Sequence, residues 1–118
     1  MARYDKYEPM SGGFRAPLGV AVAAVDLNKV LPVGLDSNGR VVRAAGQTGI
    51  IGVLVLTKAK PIGAIVDVMQ DGEIVENTGL AAGTRYYGSV TGTVTTTNTD
   101  KPLGWTVEAA RLIVRLGK

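Results

Sequence analysis

The sequence predicts an all-β domain, a small sandwich or barrel with an extended N-terminal arm and little helix. Short clusters of β-branched residues recur from residue 18 onward, and turn-forming residues separate them at short intervals. Sixteen glycines in 118 residues supply many of those turns. A chain of this length can build one core but rarely two, so one β domain is expected.

Residues 1–17 are the predicted arm, and residues 18–118 are the predicted β domain. Three of the six aromatic residues lie in the arm: Tyr4, Tyr7 and Phe14. Two prolines break any helix there, and no regular periodicity runs through the segment. A disordered terminus would explain these features too, although disordered segments are usually poor in aromatic residues. Tyrosines on an extended arm could anchor it on another surface.

Three turn sequences predict β-hairpins. Asn38-Gly39 lies between two apolar runs, and Asn-Gly supplies the positive φ angles that a tight turn needs. Asp71-Gly72 is expected to join residues 64–69 to residues 73–76 in the same way. Thr91-Gly92 is expected to separate a third pair of strands.

The last strand shows a clean alternation of polar and apolar residues. One face carries Arg111, Ile113 and Arg115, and the other carries Leu112, Val114 and Leu116. Two stretches compete with the β prediction. The alanine-rich residues 20–29 could form a helical turn, and residues 106–111 could form another before the last strand.

The chain contains no cysteine and no histidine. This excludes disulfides, thiolate chemistry, and the commonest general base and metal ligand. No serine lies in Gly-x-Ser-x-Gly, and no Gly-x-x-x-x-Gly-Lys loop is present. The acidic cluster of residues 67–76 lacks the ligand spacing of an EF-hand and is interpreted as turn formers and solvent-facing strand positions. We expect no enzyme activity, no cofactor and no metal site.

The charge is mildly basic, with a formal net charge of +3 and a pI near 9.4. The basic residues are scattered rather than clustered, so a nucleic-acid partner is not expected. The N-terminus has no apolar stretch typical of a secretory signal, and the longest apolar runs are too short for a membrane span. These features predict a soluble intracellular protein with no membrane partner.

Two aromatic residues are candidates for an interface. Trp105 is the lone tryptophan, which in a small domain is most often a core residue; the alternative is an interface hot spot. Tyr86 and Tyr87 point to opposite faces of one strand, so at most one belongs to the core. Trp105 and Tyr87 are therefore named as interface candidates.

The order of several segments resembles small tailed-phage capsid decoration (cement) proteins. These segments are GIIGVL (49–54), GAIVDVM (63–69), DGEIVE (71–76), LAAGTRYY (80–87) and LGWTVEA (103–109), followed by RLIVRL (111–116). Each motif alone is ordinary β-turn sequence, and their order carries the resemblance. It covers about residues 40–116, and the arm fits less closely.

The resemblance implies a structural virion protein made in the host cytoplasm that binds the exterior of the expanded capsid. It implies contact with the major capsid protein, and a homotrimer at three-fold and quasi-three-fold sites. The arm would reach onto the shell through Arg3, Tyr4, Tyr7, Phe14 and Arg15. The alternatives are a small β-barrel that binds nucleic acid or sugar, and another virion subunit such as a tail-tube or head-fibre protein.

Overall fold

The fold is built almost entirely from β-strands, as the sequence predicts. This computed structural model describes residues 3–4, 13–75, 80–89, 91–99 and 101–116. Across these residues the helical content is a single 3-10 turn, Ala24–Asp26. The strands are β1 (Arg3–Tyr4), β2 (Gly13–Pro17), β3 (Leu31–Leu35), β4 (Val41–Arg43), β5 (Gly52–Leu54), β6 (Ile65–Met69), β7 (Asp71–Val75), β8 (Arg85–Gly88), β9 (Val94–Thr95), β10 (Pro102–Glu108) and β11 (Arg111–Arg115).

The strands form two antiparallel sheets. The first sheet has the order β1-β7-β11-β10-β8-β9, and the second has the order β2-β6-β5-β3-β4. Strands β2 to β6 all lie in the second sheet, and β7 to β11 all lie in the first. Among the described strands, the chain therefore changes sheet only between β1 and β2 and between β6 and β7. This architecture confirms the predicted small all-β fold.

The second sheet is curled so that its two edges meet. Leu18, directly after β2, forms a parallel bridge with Val41 of β4. The Gly19 amide donates a hydrogen bond to the Val41 carbonyl, and the Leu18 amide donates one to the Ala64 carbonyl, both at 2.8 Å. Because β2 and β4 are the edge strands, this bridge leaves the sheet with little open edge for pairing with another chain.

Two apolar clusters fill the fold, and the region of β5 contributes to both. Leu54 belongs to the cluster inside the curled second sheet, whereas Val53 and Val55 belong to the cluster beneath the first sheet. Successive side chains of a strand point to opposite faces. A strand that is buried on both faces therefore needs a continuous apolar run, which is what residues 53–56 provide.

Two of the three predicted hairpins are confirmed. β3 and β4 pair antiparallel around Asn38-Gly39, where Gly39 has a φ of +75°. The Asp36 side chain accepts hydrogen bonds from the Asn38 amide (2.8 Å) and the Arg40 amide (2.9 Å), which fixes the turn. β8 and β9 also pair antiparallel, as expected for the turn at Thr91-Gly92.

The hairpin predicted at Asp71-Gly72 is wrong. β6 lies in the second sheet and β7 in the first, with Gln70 as the residue between them. Asp71 and Gly72 are inside β7, where they pair with β11. β6 and β7 enter different sheets because Val66 and Val68 are buried in one apolar cluster, while Ile74 is buried in the other.

The two predicted helical turns have different outcomes. Residues 20–29 contain the 3-10 turn Ala24–Asp26. Residues 106–111 form no helical turn, because β10 continues to Glu108 and a two-residue turn leads directly into β11. The strand prevails because the long pairing of β10 with β11 satisfies its backbone hydrogen bonds.

The predicted arm contains two strands. β1 pairs with β7 at the edge of the first sheet, and β2 pairs with β6 along its full length in the second. Ala16 is buried in the apolar cluster inside the second sheet. The remaining arm residues, Met1, Ala2 and 5–12, lie outside the described residues, so the division at residue 17 stays a prediction.

The Arg43 side chain links three parts of the fold. Its Nη1 donates to Asp26 Oδ2 (2.8 Å), and its Nη2 donates to the Gly92 carbonyl (2.7 Å). Both side chains of the ion pair are mostly buried, with exposed fractions of 26% and 19%. The guanidinium therefore ties β4 to the 3-10 turn and to the loop between β8 and β9.

We expect Arg43→Ala to lower the free energy of unfolding by about 1–3 kcal/mol, since it leaves Asp26 and a carbonyl without their charged donor. Urea denaturation followed by circular dichroism measures this change. The matched control is Arg15→Ala, which removes an ion pair whose side chains are 74% and 59% exposed and should cost less than about 0.5 kcal/mol. Equal losses for the two variants would contradict the role given to Arg43.

Candidate interaction surfaces

The N-terminal residues that sequence analysis singled out are divided between two sheets. Arg3 and Tyr4 lie in β1 opposite Val75 and Ile74. Tyr7 lies outside the described residues. The other two candidates, Phe14 and Arg15, are in β2 of the second sheet, so the four described candidates do not lie on one strand or one sheet.

Phe14 and Arg15 have different surroundings although they are neighbours in β2. Phe14 is half-buried and packs against the cluster inside the second sheet. Arg15 points outward, and its Nε donates a hydrogen bond to Oδ1 of Asp67, the residue opposite it in β6 (2.6 Å). Phe14 therefore contributes to the core, and Arg15 is the one with an exposed side chain.

An exposed apolar patch lies beside Arg15. Ile65 is opposite Pro17 in the β2–β6 pairing and is 58% exposed, and Ile62 in the preceding turn is 55% exposed. A shallow groove of about 280 Å³ runs along this side, lined by Ile65, Lys60 and Arg15 among others. Isolated apolar side chains on a surface are ordinary, but two beside an arginine and a lysine give this side a chemistry suited to protein contact.

The outer face of the first sheet carries the second candidate surface. Glu73 pairs with Ile113, Ile113 with Trp105, and Trp105 with Arg85. Directly opposite residues share a face of an antiparallel sheet, so these four side chains form one row across β7, β11, β10 and β8. We call them the Trp105 row. The Arg85 guanidinium lies over the indole ring, 5.4 Å from its centroid.

Trp105 faces outward because β10 contains a bulge. The register between β10 and β8 shifts between Pro102 and Gly104, so Leu103 and Thr106 are both buried while Trp105 between them is only half-buried. Gly104 has a φ of +156°, and a Cβ there would overlap the Ile113 carbonyl oxygen. Trp105 thus lies outside the two buried clusters, and its role at an interface stays a prediction. A bulge re-aims the side chain that follows it, and the sequence signal for it was the glycine before the tryptophan.

Tyr86 and Tyr87 lie on opposite faces, as predicted. Tyr86 is buried, and its hydroxyl accepts a hydrogen bond from the Ala81 amide (2.7 Å). Tyr87 is half-buried and pairs with Pro102 on one side and Thr95 on the other. Tyr87 thus lies two residues along β8 from Arg85, on the same face as Trp105.

The charges on the outer face of the first sheet are paired across strands. Arg115 Nη1 is 3.1 Å from Asp71 Oδ1, and Arg111 Nε is 3.6 Å from Glu73 Oε1. Both ion pairs are loose: within the part of the chain that the structure describes, Asp71 Oδ1 and Arg111 Nε have no partner at hydrogen-bond geometry. Glu73 is part of the Trp105 row, and the other three charged groups lie beside it on β7 and β11.

The acidic cluster of residues 67–76 does not come together as a site. Asp67 lies in the second sheet opposite Arg15, whereas Asp71 lies in the first sheet opposite Arg115. Glu73, also in the first sheet, is opposite Ile113 and forms an ion pair with Arg111. Glu76 lies outside the described residues. Among the residues described, no group of three or more carboxylates has the arrangement that a metal ion requires. Within that part of the chain, no helix has the length and apolar character needed to span a bilayer.

These features define a small two-sheet β domain whose distinctive surfaces are suited to contact. A solved chain from Mycobacterium phage Patience has a similar fold, with a TM-score of 0.84 at 22% sequence identity. The likeness covers 98% of this chain and 96% of that chain. No protein-family model matches the sequence, and no curated protein matches it either.

Proposed function

We propose that this protein is a structural phage protein that binds the outer surface of the expanded capsid and stabilises it. Its partner is the major capsid protein, and it occupies three-fold and quasi-three-fold sites as a homotrimer. It is made in the host cytoplasm and resides on the capsid exterior. The observation that carries the proposal is the shared fold with a phage chain over nearly the full length of both proteins.

The chemistry of the chain supports binding rather than turnover. Without histidine or cysteine, the usual nucleophile–base pairs cannot be built. Four arginines in the described residues, namely Arg15, Arg43, Arg111 and Arg115, lie beside carboxylates. These ion pairs reduce the positive potential that a phosphate backbone would need, and so they favour a protein partner over nucleic acid.

The capsid contact is proposed for the N-terminal side of the molecule. Arg3, Tyr4 and Tyr7 supply the side chains of the arm, and Arg15 with Ile65 supplies a separate surface on the second sheet. Many copies bind one shell, so a modest affinity at each site adds up to strong retention through multivalency. Copies that bridge neighbouring subunits would resist outward pressure on the shell.

The test is binding to phage heads in two states. The purified chain is mixed with expanded heads and with unexpanded proheads of the phage that encodes it, and bound protein is measured by co-sedimentation. We expect saturable binding to expanded heads, weak binding to proheads, and added density on the outer surface by electron microscopy. Bound heads should also withstand heating better than bare heads.

Two results would overturn the proposal. The first is failure to co-sediment with expanded heads at any tested concentration. The second is salt-sensitive retention on DNA without any head binding, which would favour the nucleic-acid alternative.

A further inference from the structure

We infer that the Trp105 row is the contact between copies of this chain, with Glu73 of one copy beside Arg85 of the next in a closed ring of three. This inference rests on the proposed trimer and names the surface that forms it. The occupant of the face is thus a second copy of the same chain.

The centre of the face has the composition of an interface core. Trp105 and Ile113 are directly opposite each other and half-buried in a single copy. Tryptophan and arginine are the residues most enriched among interface hot spots, and hot spots cluster at the centre of a contact. The bulge at Gly104 aims this tryptophan outward, although its neighbours Leu103 and Thr106 are buried.

The charges on the face are separated in a way that suits a ring. Glu73 and Asp71 lie on β7 at one side of the row, and Arg85 lies on β8 at the other. In a cyclic assembly the β7 side of each copy meets the β8 side of the next, so opposite charges meet at every contact. The row runs straight across the strands, which places Glu73 and Arg85 at the same height along them.

The loose ion pairs leave room for such a contact. Glu73 is 3.6 Å from Arg111, so its carboxylate can accept further hydrogen bonds from a second arginine. The ion pairs on β11 keep the face nearly neutral, which removes the repulsion that an all-positive face would impose on a second copy.

The chain has no cysteine, so only cysteines introduced by substitution can react in a crosslinking test. The test uses the double variant Glu73→Cys/Arg85→Cys, treated with a bis-maleimide both in solution and on expanded heads. Within one copy the two positions are three strands apart, about 14 Å, so a reagent of shorter reach joins different copies only. Denaturing electrophoresis then counts the linked chains, and circular dichroism checks that the variant is folded.

We expect crosslinked dimers that convert to trimers, with no larger species. The single variants Glu73→Cys and Arg85→Cys should give no trimers, because each contact would then hold only one cysteine. The matched control is Ile65→Cys/Arg85→Cys, which moves one cysteine to the second sheet and should stay uncrosslinked.

The other outcomes overturn either the inferred interface or the proposed capsid function, and they distinguish the two. Crosslinking that ends at dimers indicates a two-fold contact, and a ladder beyond three indicates an open chain of copies. A folded double variant that binds heads but does not crosslink refutes this face and leaves the capsid function standing. If the double variant crosslinks to trimers but the wild-type chain does not bind heads, the inferred interface stands and the capsid function is refuted.

Discussion

Replacing Gly104 with alanine is expected to lower the free energy of unfolding by about 3–5 kcal/mol. The added Cβ would overlap the Ile113 carbonyl oxygen, which is part of the backbone and cannot move aside as a flexible side chain could. The substitution must therefore push β10 away from β11. That pairing joins the two strands that bury Leu103, Leu112 and Val114.

Urea denaturation measures the loss, and the single tryptophan supplies a second signal. Because Trp105 follows Gly104 directly, its fluorescence should change even where the variant remains folded. The matched control is Gly39→Ala. Gly39 also has a positive φ, but the space around it is open, so that variant should lose only about 1–2 kcal/mol. A loss at Gly104 no larger than the loss at Gly39 would show that β10 does not need its bulge.

The parts of the fold that depend on local sequence could be predicted. The Asn38-Gly39 turn holds its own geometry through the Asp36 side chain, so neighbouring residues alone identify it. The alternation in β11 likewise predicts that Leu112 and Val114 are buried, and both are. Strand periodicity and turn chemistry are local properties, and a single sequence displays them directly.

The errors arise where distant strands decide the outcome. Asp71-Gly72 has the sequence of a hairpin turn, but β6 and β7 bury their apolar residues in different clusters and so part at Gln70. For Trp105 the sequence left two interpretations open, a core residue or an interface hot spot. Its orientation depends on a register shift against β8, and only the pairing of β10 reveals such a shift.

The same limit applies to the candidate contact residues. Aromatic residues on a segment without periodicity suggested one docking arm, yet Phe14 packs partly in the core while Arg15 beside it is exposed. The Trp105 row could not be assembled from sequence, because Glu73 and Arg85 come from strands separated by two others in the sheet. Individual members could be named, as Trp105 was, but not their common face.

Deleting residues 2–12 is expected to weaken binding to expanded heads at least tenfold per site, which is about 1.4 kcal/mol. The deletion removes Arg3, Tyr4 and Tyr7 of the proposed arm. It ends at residue 12 because Gly13–Pro17 is β2, and removing Phe14 with it would damage the core and obscure the result. β1 adds only two residues to the edge of the first sheet, so the shortened chain should stay folded.

Binding is measured by co-sedimentation over a range of protein concentrations, with thermal unfolding of each variant followed separately. Tyr4→Ala/Tyr7→Ala keeps the chain length and tests the aromatic anchors, and it should account for most of the loss. Phe14→Ala gives the opposite pattern as a control. This variant should lower thermal stability, because Phe14 packs against the apolar cluster inside the second sheet. Head binding by the folded fraction should change little. Full binding by the folded deletion variant would refute the arm and move the capsid contact to the β domain, where Ile62, Ile65 and Arg15 form the next surface to test.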